Sequence, residues 1–235
     1  MQTDFGILQL STSAPPEAAL TWSEQPVHGV LIVLSVAAIL LWLPDIIRLM
    51  PLLLECVSRV RPNLMLEHSL HQARTRNLAA VLVLVPFCLM ADRYGLYRPG
   101  FIENLAPGWH VPGLVGIAAA WILLRRSVAQ TVLALWPLRI ESDERSALHR
   151  NLYNSFVVLV ALQFFSIITA RFIFGCEDAS IRTILLVETA LMWFVSLLRS
   201  GQILRANCSA FSTILYLCGL ELIPAAALVA SEVVL

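Results

Sequence analysis

Residues 153–174 read YNSFVVLVALQFFSIITARFIF, a run from Tyr153 to Phe174 in which Arg171 is the sole charged side chain. A helix rises 1.5 Å per residue, so about 20 apolar residues cross the ~30 Å hydrocarbon core of a bilayer. The run meets that length and is bounded by charge, with Arg150 before it and Glu177 and Asp178 after it. It reads as a membrane-spanning helix.

Five further segments follow from the same criterion. Ile181–Leu198 and Ala210–Val234 lie on its C-terminal side, and the second of these is the most apolar stretch of the chain. On the N-terminal side are His28–Leu43, which stops at Pro44-Asp45, and Leu78–Ala91, which is short and carries Pro86. Leu105–Leu124 opens in a Pro/Gly-rich approach and ends at Arg125-Arg126. A proline removes a backbone donor, and a charge resists the hydrocarbon, so these positions read as span ends. The expected fold is an all-α polytopic transmembrane helical bundle of about six spans.

The connections Asp45–Asn77 and Arg125–Leu152 mix apolar residues with arginine at helical spacing. Ile46, Ile47, Met50, Leu53 and Leu54 alternate with Arg48 and Glu55, and Val128, Val132, Leu135 and Trp136 repeat the pattern. They read as interfacial amphipathic helices. The domain reading is an extracytoplasmic tail over residues 1–27 and a single transmembrane domain over residues 28–235. The tail holds Asp4, Glu17 and Glu24 but no basic residue, so it lacks the n-region of a cleavable signal and is expected to stay attached.

Composition agrees with a bilayer as solvent. Of 235 residues 58% are hydrophobic and 14% charged, and mean hydropathy is +0.77. Soluble domains run near 45–50% apolar and roughly 25% charged. Formal net charge is zero, which argues against nucleic acid as a partner. All 16 basic residues are arginine, as expected of a GC-rich genome. Twelve fall on one side of the six-span topology and four on the other. By the positive-inside rule the richer side is cytoplasmic, so both termini are expected outside, in the periplasm of a bacterial inner membrane.

Ionisable groups inside a membrane are costly, which makes them the first places to look for function. Glu188 stands about 10 Å from one boundary of its segment, and Glu221 and Gln163 about 15 Å from theirs. All three are therefore expected near the bilayer middle, as one polar centre. Pro224 crowds the carbonyl of Leu220 and leaves it free beside Glu221. A protonated Glu221 can donate to that carbonyl, the form that desolvation favours, whereas an ionised one needs a cation or an arginine. Arg171 is the expected ion partner of Glu188.

Other chemistry finds little support. His68 and His71 share an i, i+3 spacing, but the order Glu-His-x-x-His is not that of a zinc protease. His28 and His110 stand at the same end of two segments, an arrangement geometrically open to haem or copper and as readily reached by chance. The five cysteines show no CxxC spacing, and nucleophile-elbow, P-loop, dinucleotide and EF-hand motifs do not occur. Glu141, Asp143 and Glu144 read as a solvated turn. No catalytic residue, cofactor or metal is expected.

The stretch Phe211-Ser-Thr-Ile-Leu-Tyr-Leu-Cys-Gly-Leu-Glu-Leu-Ile-Pro224 resembles the C-terminal signature of a Bacteroidota integral-membrane family, domain-of-unknown-function family number 4271. That signature reads approximately F-x-x-x-L-Y-L-C-x-L-E-I-x-P, which Tyr216, Leu217, Cys218, Glu221 and Pro224 match. A weaker likeness runs through Leu198-Arg199-Ser200-Gly201, Tyr153-Asn154 and the segment Ser58–Asn77, and the absence of lysine is the departure. The resemblance implies a multi-span inner-membrane protein and no particular activity, and it draws attention to Tyr216–Pro224.

Three functions fit these observations. The favoured one is a scaffold or accessory subunit of an envelope complex, surrounded by the lipid bilayer and bound to a membrane-protein partner or to copies of itself. A small proton- or cation-coupled transporter subunit built on Glu221 and Glu188 comes next. An enzyme acting on lipid head groups through its arginines is the third.

Overall fold

The computed structural model describes residues 26–59, 62, 69–135, 142–207 and 210–234. Among them helix is the sole regular secondary structure, joined by short turns, and there is no strand. The elements are α1 (Pro26–Ser58), α2 (Leu70–Tyr94), the short α3 (Gly100–Glu103), α4 (His110–Leu135) and α5 (Ser142–Ile168), which runs on into a π-turn (Thr169–Ile173). Next come α6 (Asp178–Asn207), α7 (Ala210–Leu217), a second π-turn (Cys218–Leu222) and α8 (Ile223–Val234).

Five helical stretches, within α1, α2, α4, α5 with its π-turn and α6, are long and apolar enough to cross a membrane. The protein is a multi-pass membrane protein. The run from α7 through α8 adds a sixth helical segment, uninterrupted from Ala210 to Val234. The tail over residues 1–25 lies outside the described residues, as do His68, Trp136 and Glu141.

Side-chain contacts at the two ends set the helix directions. At one end Asp92, near the end of α2, faces His28 at the start of α1 and His110 at the start of α4. Asp178, opening α6, meets Arg93 from α2 and Arg171 from the π-turn that closes α5. At the other end Arg199 of α6 donates from Nε to the carbonyl of Val57 at 2.9 Å and from Nη2 to that of Ser58. Those two carbonyls have no partner further along α1, and a guanidinium there also complements the helix dipole. Successive long helices therefore alternate in direction. The end marked by Asp92 is called the Asp92 end below, and the opposite one the arginine-rich end.

Helix α2 is the centre of the bundle, with 56% of its membrane window buried against 6% for α1. Its small residues Ala73, Ala79 and Ala80 are buried with Leu49, Leu53 and Cys56 of α1 and Val157, Val158 and Val160 of α5. Small side chains let helix backbones approach closely where lipid offers no hydrophobic driving force for association. Deeper along α2, Cys88, Leu89 and Ala91 pack on Val111 and Leu114 of α4. The helix is capped by the Ser69 hydroxyl, which accepts from the Gln72 amide, and by Gly95, whose φ of 60° lets the chain turn out.

Several expected boundaries move. Pro44-Asp45 does not end the first span, because α1 continues through it for a total of 33 residues, or about 50 Å. Residues 46–56 are not a surface helix: Leu49, Leu53 and Cys56 recur at helical spacing and are drawn into the core. Arg125-Arg126 does not end the third span, since α4 runs on to Leu135. The second segment is also longer than Leu78–Ala91, at 25 residues. The described parts of the connections expected to lie flat on the membrane continue the long helices α1, α2, α4 and α5.

Candidate functional site

Glu221 sits in the π-turn Cys218–Leu222, where the Ile223 amide donates to the Cys218 carbonyl five residues back. Pro224 immediately follows. It brings no N–H to the backbone ladder and its ring crowds the carbonyl four residues before it, and a widened turn is one way for a helix to absorb both defects. Glu221 is 5% exposed and Tyr216, one turn before it, is also 5%.

Arg125 of α4 reaches this carboxylate, with Nη2 donating to Glu221 Oε1. Its neighbour Arg126 is exposed, whereas Arg125 is 6% exposed. The depths match. Arg125 lies ten residues before the end of α4 and Glu221 eleven after the start of α7, each about 15 Å from the arginine-rich end. Of the alternatives left open by the sequence, the carboxyl has found an arginine.

Gln163 and Glu188 belong to a different place. Gln163, fully buried on α5, donates from Nε2 to Thr189 Oγ1 at 2.9 Å and to the Leu185 carbonyl at 3.4 Å. The Thr189 hydroxyl itself donates to the Leu185 carbonyl at 2.8 Å. Ser166 donates to Glu188 Oε1. Nearer the arginine-rich end, Asn151 donates to the Ser196 carbonyl at 3.0 Å and to the hydroxyl of Ser200 at 3.2 Å. These contacts form a polar seam along the antiparallel pair α5 and α6. Glu221 is bonded to α4, and among the described residues no hydrogen bond links it to Glu188 or Gln163.

Arg171 is not the partner of Glu188. It donates to Asp178 Oδ1 at 3.1 Å and lies half exposed at the Asp92 end. The π-turn carrying Arg171 and the left-handed Gly175 return the chain directly to Asp178, so that acidic residue is the nearer one.

At the Asp92 end, His110 places Nδ1 3.4 Å from Asp92 Oδ1, with Nε2 3.1 Å from the Leu105 carbonyl. His28 Nε2 is 3.9 Å from the other carboxylate oxygen, and His28 and Asp92 are both 2% exposed by side chain. Arg98 donates to the Asp92 carbonyl at 2.7 Å. Both histidines address one carboxylate. No group of three His, Cys, Asp or Glu side chains with metal-binding geometry occurs among the described residues.

Asp92, Asn151, Ser196 and Ser200 escape a reading of the sequence, and Arg125 is there misread as a span end. For Arg125 a signal exists: it is half of the sole adjacent arginine pair, at the depth of a carboxylate that needs a cation. A scan against models of protein families finds no match, and neither curated proteins nor solved structures show a similar chain.

Proposed function

We propose that this multi-pass membrane protein is a scaffold or accessory subunit of a bacterial inner-membrane envelope complex, with both termini on the periplasmic side. The observation that carries the reading is the Arg125–Glu221 pair. The buried carboxyl of the last helical segment is committed to an arginine of α4, which makes it a tie between helices. The arginine bias toward one end supports the orientation. The resemblance of Phe211–Pro224 supports a Bacteroidota inner membrane as the setting.

Affinity purification from native membranes tests it. The scaffold reading expects stoichiometric co-purification of a larger envelope assembly, weakened when Glu221→Leu removes the tie to Arg125. Recovery of a lone monodisperse protein under mild extraction would overturn it.

One observation favours a second reading, a proton- or cation-coupled transporter subunit. Glu188 Oε2 is buried and has no hydrogen-bond partner among the described residues, and a carboxylate oxygen in that condition can take up a proton or a cation. On this reading Glu188→Gln accumulates normally and loses cellular function. An unchanged phenotype removes it.

A further inference from the structure

The polar seam between α5 and α6 carries a surplus of acceptor oxygens at one level. Gln163 and Ser166 share a face of α5 at i, i+3, and Leu185, Glu188 and Thr189 share a face of α6 at i, i+3, i+4. Glu188 lies ten residues past the start of α6, and Gln163 ten residues before the end of the π-turn that closes α5. Each is about 15 Å from the Asp92 end, near the middle of a ~30 Å hydrocarbon core.

The side-chain hydrogens at this level are all committed. The Gln163 amide donates to Thr189 Oγ1 at 2.9 Å and to the Leu185 carbonyl at 3.4 Å. The Thr189 hydroxyl donates to the same carbonyl at 2.8 Å, and the Ser166 hydroxyl to Glu188 Oε1. Two oxygens are left over. Gln163 Oε1 and Glu188 Oε2 are buried with no hydrogen-bond partner among the described residues, and Gln163 as a whole is 0% exposed. Turning the amide over would set its oxygen against the Leu185 carbonyl, acceptor facing acceptor.

Charge is left over as well. Glu188 has no ion pair among the described residues, and Arg171 is taken by Asp178. A water molecule would supply hydrogens to both oxygens and leave the carboxylate charge in the hydrocarbon, whereas a cation answers both needs. The donor set narrows the kind of cation. It is all oxygen, with neither thiol nor imidazole, which suits a hard ion. Its single negative charge balances a monovalent one. Hydrogen bonds of 2.8–3.4 Å tie the framework closely together, which favours a small one.

We infer that Glu188 and Gln163, with the hydroxyl oxygens of Ser166 and Thr189, form a Na+ site within the membrane. Glu188 supplies the charge, and Gln163 a carbonyl oxygen oriented by the two bonds its amide donates. The inference rests on the transport reading of Glu188 and deepens it by naming the ion.

The test uses the full chain purified in a neutral maltoside detergent, with choline as the sole cation of the buffer and radiolabelled Na+ as the probe. Saturable binding of about one ion per chain is expected, displaced by unlabelled Na+ at least about tenfold more readily than by K+ or Ca2+. Glu188→Gln keeps the shape and the bond from Ser166 but removes the charge, and is expected to abolish binding. Ser166→Ala removes one oxygen of the set and spares the bonds of Gln163, and is expected to weaken binding by about tenfold. Thermal unfolding in choline chloride checks that both variants are folded. Wild-type protein without saturable Na+ binding would overturn the proposal, as would tighter binding of K+ or Ca2+, or folded variants that bind like wild type. If Na+ fails to bind while dicyclohexylcarbodiimide modifies Glu188, the carboxyl is assigned to a proton and the transport reading survives. An unchanged phenotype of Glu188→Gln removes that reading whichever ion binds.

Discussion

Removing one partner of the Arg125–Glu221 pair is expected to cost far more than removing both. The two side chains are 6% and 5% exposed, so neither can turn to water when its partner is lost. An arginine near the middle of a spanning helix costs about 2.5–3.5 kcal/mol on insertion scales, and breaking a buried pair in general costs about 3–5 kcal/mol. Glu221→Leu should therefore destabilise the bundle by about 3 kcal/mol, and Arg125→Met by a similar amount. The double variant replaces both charges by apolar groups and is expected to recover to within about 1 kcal/mol of wild type. Reversible unfolding in mixed micelles, followed by tryptophan fluorescence, gives the four free energies of the cycle. Single-variant losses that add to within about 0.5 kcal/mol in the double variant would show that the side chains are not coupled, and would refute the pair as a tie.

Three other outcomes follow from the geometry. Gln163→Leu removes the α5–α6 bonds to Thr189 and Leu185 and should lower stability in the same assay by about 0.6–1.7 kcal/mol, the range for such bonds within membranes; no loss would mean that the seam is incidental. In a cysteine-free background, His28→Cys with Asp92→Cys and Ser58→Cys with Arg199→Cys should each be joined by a short thiol cross-linker. Linking of Asp92→Cys to Ser58→Cys within one chain would contradict the alternating helix directions. A membrane-impermeant thiol reagent should reach a cysteine placed at Gly100 in intact spheroplasts and not one placed at Ser142, and the reverse pattern would invert the proposed orientation.

The fold class was legible because it depends on apolar length, which is a local property. The span limits were not, because a proline or an arginine ends a helix only when tertiary contacts do not carry it on. Pro44 removes one hydrogen bond from α1, while Leu49, Leu53 and Cys56 beyond it gain a core to pack in. Arg125 looks like a boundary until Glu221, 96 residues later, is seen to neutralise it. Glu221 and Gln163 were identifiable as buried polar groups, since each interrupts an apolar run. Their partners were not, because a seam such as Asn151 with Ser196 and Ser200 depends on which faces of two helices meet. That choice is made by side chains distributed over the whole bundle.

The π-turn at Cys218–Leu222 also bears on how the sequence can vary. Successive residues of an α-helix are set about 100° apart around the axis. A π-turn lodges one additional residue in the helix, much as a single insertion would. Deleting one residue between Cys218 and Leu222 would give a regular helix of nearly the same length and hydrophobicity, yet everything beyond it would be turned by about 100° relative to Tyr216. Glu221 faces Arg125, and Tyr216 the interior, in the presence of that extra residue. Among related chains, substitutions on the outer face of this segment should be common, whereas changes in its length should not.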